Sequence, residues 1–433
     1  MRHGAASDAD AAEKGTGAAA PWLLSREEHA IASKGRFHSS MSKQRGAALV
    51  LLALLLCGVC AHLVRVYGYP VTRVDVGAAW STTAEMCEAH GLTESTQNKQ
   101  PTRPRVFDAF AFNVEADILE LRLHELSPLV DRFVLVEASH TFSGKPKPFH
   151  FDRLKKEARF ADFVPRIEHV KIDYEQMGLP DDPVLRKAMT KNAYMIGLER
   201  ASARPDDFVV STDLDEVPRL EVLRLITQCD GVRFPVTLRM HSYLYDFGCR
   251  DSVKWAVGGV LRTDNVWDRA KVVRFGHLRP ASECTSPSLR PDEFHLLPAS
   301  RVCPNELRGR QYANLGASLN PGVAEHPLTI SNGGWHMSYF MPIDMVIRKI
   351  GSISHVERDT PENRDPGKIR CLVRHCRHVN GQDRGDRMVD GAFADAPRFA
   401  RQQYDNGEGY FSAYFPRMVD LKCDEEQYRA MWA

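Results

Sequence analysis

The chain has 433 residues, 43% of them apolar and 26% charged, with a formal net charge of +1. This is an ordinary globular balance with room for one large domain or two, and so near-neutral a charge gives no argument for a nucleic-acid partner, so none is expected. No internal repeat of fixed period is visible.

In chain order, residues 1–45 are rich in Ala, Gly and Ser without a sustained period, which predicts a disordered cytosolic tail. Gly46 to Val64 is an uncharged run of 19 residues, just enough to span a hydrocarbon core of about 30 Å. Lys34, Arg36, Lys43 and Arg45 precede it, against Arg65 and Arg73 behind it. Basic flanks stay cytosolic, so a single-pass type II signal-anchor is expected, with the rest of the chain in the secretory lumen. A cleaved signal peptide competes: Met41 opens a basic segment, and Val59-Cys60-Ala61 is an acceptable cleavage site. The 40-residue leader before Met41 favours the uncleaved anchor. Its short span suits a thinner, early secretory membrane. Residues 65–104 are polar, weakly periodic and end in QPTRPR, the pattern of a stem.

A folded domain is expected over 105–433. Val106 to Phe112 alternates as a strand, and Glu115 to Leu126 places Ile118, Leu119, Leu123 and Leu126 on one helical face. Phe133 to Val136, Ile167 to Ile172 and Phe208 to Ser211 read as further strands, and Pro183 to Arg200 as a helix. Strands alternating with helices predict an α/β fold with a mostly parallel sheet flanked by helices. Ligands of such sheets bind beyond the carboxyl ends of the strands, where Glu137 and the segment Asp213 to Glu216 fall. The stretch Arg279 to Gly322, rich in Pro, Ser and Arg, reads as a long, partly ordered loop, with a second compact region around Trp335.

Ten cysteines occur, two of them, Cys57 and Cys60, in the apolar run. The other eight suggest disulfides in an oxidising lumen, with pairing open. Cys371 and Cys376 are near enough to bridge a small loop; with His375 and His378 they form an unusually spaced zinc alternative. No Asn-x-Ser/Thr acceptor is present.

The segment DDFVVSTDLDEVPR, from Asp206 to Arg219, carries the chemistry. In an extended chain residues i and i+2 face the same way, so Asp213 and Asp215 can converge on one ion. Hard oxygen ligands suit Mg²⁺ or Mn²⁺. The plain alternative is a solvated turn in which one aspartate caps a helix starting near Pro218. A second chemical alternative is a phosphohydrolase of haloacid-dehalogenase type, with DLDEV as its nucleophile motif and Asp386 to Asp390 as its later acidic motif. That later motif lacks the apolar strand it should follow.

VFDAFAFNVEADILELRLHEL, VDRFVLVEASHTFSGKPKPFHF, VVSTDLDEVPR and GGWHMSYF, in that order, resemble the β-1,4-mannosyl-glycoprotein 4-β-N-acetylglucosaminyltransferases, glycosyltransferase family seventeen. The resemblance runs from about Arg105 to the end, strongest through Arg219 and again at Gly333 to Phe340. It implies a luminal, GT-A-like inverting enzyme behind an anchor and stem in the Golgi membrane. The implied donor is UDP-N-acetylglucosamine with Mn²⁺ or Mg²⁺, and the implied acceptor a mannose of an N-glycan core. Asp213 and Asp215 would hold the cation on the donor diphosphate, with His336 as a late metal or diphosphate ligand or else a core histidine. Glu216 is placed with the donor. Glu137 is a candidate for the uridine or ribose, against a salt-bridged strand end. Lys145 and Lys147 in GKPKP are candidates for phosphate and acceptor, against a solvated basic loop. Gly333-Gly334 permits close backbone approach, and Trp335 offers a flat face for a sugar. Asp264, Asp268, Glu283 and Asp292 are available as the base, with nothing to choose among them. A glycan-binding pseudoenzyme is the non-catalytic alternative.

Overall fold

The computed structural model describes residues 72–73, 80–178, 180–251, 253–257, 260–264, 266–284, 301–309, 328–382, 385–387, 395–412, 421–424 and 426. The expected tail and membrane anchor, 1–45 and 46–64, lie outside them, as does the start of the expected stem. No helix among the described residues is long and apolar enough to cross a membrane.

The first half builds four parallel strands. In order along the chain come β1 (Val106–Ala111), α1 (Ala116–Leu126), β2 (Arg132–Ala138), β3 (Ile167–Ile172), α2 (Pro183–Asn192), α3 (Tyr194–Arg200) and β4 (Phe208–Ser211). β1 lies between β2 and β4, and β3 adds outside β2, all parallel. Both faces of these strands are covered, so they read as continuous apolar runs. Val106, Phe110, Phe133, Leu135 and Val210 face the α1 side, in one core with Ile118, Leu119 and Leu123. Phe107, Ala109, Val134, Val136 and Val209 face the other way, onto Tyr194 and Leu198 of α3. The single helix expected over Pro183 to Arg200 is broken at Ala193, where ψ opens to −6°. The break re-aims α3 onto the sheet, where a Cβ on Gly197 would stand 2.4 Å from Val134 Cγ1. Only glycine allows that approach.

The second half corrects the expectation of a mostly parallel sheet. It supplies β5 (Glu216–Pro218), α4 (Leu220–Gln228), β6 (Val236–Leu244), β7 (Cys249–Asp251), β8 (Val266–Arg274), α5 (Pro304–Gly309), β9 (Thr329–Ser331), β10 (Gly334–Ser338), α6 (Ile343–Ile350), α7 (Pro366–Arg374) and α8 (Arg398–Asn406). β8 runs antiparallel to both β4 and β6, and β10 parallel to β6 but antiparallel to β5. Among the described residues the sheet has six parallel and five antiparallel pairings and is therefore mixed. The region around Trp335 is not a second compact body: β10 is a strand of the same sheet.

Two other expectations change. The stem does not extend to residue 104, because Thr83–Glu88 is a helix capped by Thr82, with Met86 and Cys87 in the core. Thr93–Glu94 pairs with Cys229–Asp230, and Cys87 is bonded to Cys229. The eight cysteines beyond the apolar run all form disulfides: Cys87–Cys229, Cys249–Cys376, Cys284–Cys303 and Cys371–Cys423. Cys371 and Cys376 do not bridge each other, and with both sulfurs oxidised neither is a zinc ligand.

Candidate active site

β4 ends at Ser211, and the chain turns through Asp213 to Glu216, closed by a 3.0 Å bond from the Glu216 amide to the Asp213 carbonyl. Arg122, fully buried on α1, holds this turn from beneath. Its guanidinium grips Asp108 at 2.7 and 2.5 Å. It also donates to the carbonyls of Asp213, Leu214 and Glu216 at 3.0, 3.1 and 2.8 Å. A fork of fixed donors suits three convergent carbonyls, and it pins the carboxylates above. The signal for it in sequence was an arginine within the apolar stretch ILELRLHEL. The plain alternative of a capped helix fails, since the N-cap of α4 is Arg219 and no side chain caps it.

The segment is not extended as the sequence suggested: Leu214 and Asp215 form the turn, and Leu214 lines the same cleft as both aspartates. The turn, rather than a two-residue alternation, brings the carboxylates together. Asp213 and Asp215 line a cleft of about 400 Å³ at the carboxyl ends of β1 and β4. Glu216 points the other way, into the body. Asp213 pairs with Lys191 of α2 at 2.8 Å and Arg308 of α5 at 2.9 Å. Burial opposes its ionisation, but Arg308 and then Lys191 outweigh that and hold the carboxyl well below its usual range. Burial, with Arg308 beside it, pushes the Lys191 ammonium down to about 7, only partly offset by Asp213. Asp215 takes Lys349 of α6 at 2.8 Å, and Lys349 also reaches Glu115 at 3.3 Å. For Asp215 too, burial raises the pKa, while Lys349 and His336 bring it below the ordinary value.

His336, on β10, shares the cleft. Its ring stacks on Trp267 at 4.2 Å between centroids, and its nitrogens meet the hydroxyls of Ser242 at 3.1 Å and Ser338 at 3.2 Å. Lys147 lines the cleft as well, with its ammonium on Glu137 at 2.9 Å.

Four of the residues singled out in the sequence do not line this cleft. Glu216 is fully buried, bound by Arg308 at 2.7 Å through each oxygen and by the Trp267 indole at 2.6 Å, so it serves the framework rather than a donor. Glu137 is likewise buried and accepts from Lys147 and the amides of His150 and Phe151. It is the salt-bridged strand end. Lys145 pairs with Asp359 at 2.7 Å, tying its loop to the chain after α6. Trp335 is 3% exposed, with Arg219 over its ring at 4.1 Å and its indole N–H on the Asp395 carbonyl, so it presents no face to a sugar. The Gly333-Gly334 approach is to backbone rather than ligand, for a Cβ on Gly334 would lie 2.3 Å from the Val217 carbonyl.

Of the expected bases, Asp268 and Glu283 are outside the cleft lining, and Asp292 and the Asp264 side chain are outside the described residues. Among the described residues the cleft carboxylates besides the Asp213–Asp215 pair are Glu115 and Asp251. The phosphohydrolase pattern finds no support in its second motif: Gly385–Arg387 is a short strand antiparallel to β7, and Asp390 lies outside the described residues.

The family model of glycosyltransferase family 17 matches residues 76–279, a span that contains the Asp213–Asp215 turn and Arg122. Residues 76–279 are a glycosyltransferase family 17 domain. The β-1,4-mannosyl-glycoprotein 4-β-N-acetylglucosaminyltransferases of Rattus norvegicus and Mus musculus are each 26% identical over 313 residues, 70% of this chain and 53% of theirs. The Homo sapiens protein of that name is also 26% identical, over 54% of its length. The matched region thus spans about half the length of these relatives. Among solved structures, a mycobacterial protein shares 16% identity over 39% of this chain and 46% of its own, at a TM-score of 0.20. Glucosyl-3-phosphoglycerate synthase of Mycobacterium tuberculosis, in complex with Mn²⁺, UDP and phosphoglyceric acid, shares 13% over 71% of this chain and 86% of its own, at 0.26. Neither score carries weight for the fold.

Arg308, Lys349 and His336 lie outside the span matched as family 17, yet they meet its carboxylates. Among the described residues no three His, Cys, Asp or Glu side chains close on one point. A divalent cation of the Mg²⁺ or Mn²⁺ kind still fits, because it is commonly held by one or two carboxylates, with phosphate oxygens and waters completing the shell. Each carboxylate oxygen has two lone pairs, so the ion pairs leave acceptor capacity on Asp213 and Asp215.

Proposed function

We propose that this chain is a luminal, GT-A-type inverting glycosyltransferase, anchored in the Golgi membrane through residues 46–64. It moves N-acetylglucosamine from UDP-N-acetylglucosamine to the core β-mannose of an N-glycan in β-1,4 linkage. The observation that carries this reading is the Asp213–Asp215 pair at the tip of β4, both carboxylates in one cleft, within a family 17 domain. The names of the relatives support N-acetylglucosamine as the sugar and a mannosyl glycoprotein as the acceptor; the UDP donor is part of the proposal.

Asp213 and Asp215 would hold the Mn²⁺ or Mg²⁺ ion, which when bound would neutralise the diphosphate as it leaves. His336, with its ring nitrogens on Ser242 and Ser338, fits the core-histidine alternative. The protein's own contribution is positional. Arg122 fixes the turn, Lys191 and Arg308 fix Asp213, and Lys187 adds a cation to the cleft wall beside them. Inversion from an α-linked donor takes one in-line displacement. The acceptor hydroxyl oxygen bonds to the anomeric carbon, that carbon's bond to phosphate breaks, and the hydroxyl proton passes to a carboxylate, for which Glu115 and Asp251 are the groups in the cleft.

Full-length protein in detergent is assayed against a donor screen and then an array of N-glycan cores, free oligosaccharides and glycolipids. Transfer from UDP-N-acetylglucosamine to core β-mannose is expected, stopped by EDTA and restored by Mn²⁺. Asp215→Asn is expected to lower turnover by about 10²-fold or more, since the ion's charge stabilisation is worth several kcal/mol. Unchanged turnover in that variant at saturating Mn²⁺ refutes the metal role. Glycan binding without any UDP-sugar binding refutes the enzyme.

A further inference from the structure

The two aspartates at the tip of β4 are held differently. Asp213 rests on Lys191 and Arg308, each about 5% exposed and each set in the framework by its own helix. Among the described residues Asp215 has one ion-pair partner, Lys349, and that cation has two seats. Its ammonium lies 2.8 Å from Asp215 Oδ2 and 3.3 Å from Glu115 Oε1, over the Tyr339 ring at 5.5 Å. The three side chains are 13%, 16% and 10% exposed, all at the cleft. Glu115, at the start of α1, is steadied by a 2.9 Å bond from the Val114 amide. Lys349 is in the last turn of α6, on a flexible four-carbon stem.

An ammonium on a carboxylate oxygen and a divalent cation on the same carboxylate repel each other, the more so in a largely desolvated, low-dielectric cleft. We propose that Lys349 is a resident counter-cation that competes with the divalent ion for Asp215, and that Glu115 is the seat it keeps when the ion binds. Metal uptake is then an exchange. The ammonium moves off Asp215 without leaving the cleft, and it remains beside the place where the donor's phosphate charge arrives. This rests on the metal-dependent reading above.

The test is Mn²⁺ affinity, read on full-length protein without donor by the electron paramagnetic resonance signal of free Mn²⁺ at fixed pH and salt. Lys349→Met removes the competitor, and Mn²⁺ is expected to bind roughly tenfold more tightly, equivalent to ~1.4 kcal/mol. Glu115→Gln removes the second seat, leaves Lys349 on Asp215, and is expected to raise the Mn²⁺ Kd several-fold. If wild type binds Mn²⁺ while Lys349→Met leaves Kd unchanged or higher, Lys349 is a structural tie and the exchange is overturned. Should Lys349→Met fail to fold, Glu115→Gln decides alone: weaker binding supports the exchange and unchanged binding overturns it. If wild type and both variants bind no Mn²⁺, the metal-dependent reading itself falls, and the exchange with it.

Discussion

Replacing Arg308 with alanine leaves two carboxylates without their shared cation. In the native protein Arg308 is about 5% exposed and gives Glu216, which is fully buried, two bonds of 2.7 Å. It also reaches Asp213 at 2.9 Å and the Ser211 carbonyl at 3.2 Å. Removing one partner of a buried pair strands the other's charge in low dielectric, at a cost of about 3–5 kcal/mol. At about 2 °C per kcal/mol for a unit this large, the melting temperature should fall by roughly 6–10 °C. The sign of the pH response should also reverse. In the native protein burial raises the Glu216 pKa, but Arg308 outweighs it and the net shift is downward. Native stability from this group is therefore present above the unfolded carboxylate pKa and lost as pH falls through the folded one. Without Arg308, burial and the Asp213 charge should outweigh the remaining Trp267 indole, Asp213 amide and His336. The folded pKa should then lie above the unfolded one, and mild acidification should recover part of the lost stability. The assay is thermal unfolding by circular dichroism, disulfides intact, over a pH series. Arg308→Met with Glu216→Gln removes both charges and should be less destabilised than Arg308→Ala. A loss below about 1 kcal/mol in Arg308→Ala, or strict additivity in the double variant, would refute the buried-pair argument.

Trp335→Ala should destabilise by about 3–5 kcal/mol, as expected for emptying a buried aromatic site, and leave the KM for acceptor unchanged in the folded fraction. An acceptor KM raised without loss of melting temperature would put the indole back at a sugar. Lys271 on β8 is 1% exposed, and burial pushes its ammonium down to about 8. The unfolded chain therefore holds that proton more tightly between about 8 and the ordinary lysine value, and native stability should rise with pH across that window. Lys271→Met should raise the melting temperature at neutral pH and flatten the rise; an unchanged pH slope would show that the lysine carries no linkage.

The parts of the protein legible in the sequence are those set by short-range periodicity. β3 and β4 fall where the apolar runs predict them, and α1 lies within one residue of its predicted start, because strands buried on both faces and an amphipathic helix carry their own patterns. The convergence of Asp213 and Asp215 did not come from the i, i+2 relation of an extended chain: a turn closed from Glu216 to Asp213 places both, with Leu214 between them, in one cleft. What tertiary structure alone decided depends on partners far apart in the chain. Arg308 sits in a Pro- and Arg-rich stretch with no period, and only the packing of α5 brings it to Glu216, 92 residues earlier. Lys349 meets Asp215 across 134 residues. Trp335 became a core residue because β10 enters the sheet beside β6 and β5. The cysteines paired across separations of 142, 127, 19 and 52 residues, which no local spacing encodes. A side chain's own neighbours set its secondary structure, but its charge partner is chosen by whichever element the sheet order places opposite it, and that order is a property of the whole chain's burial.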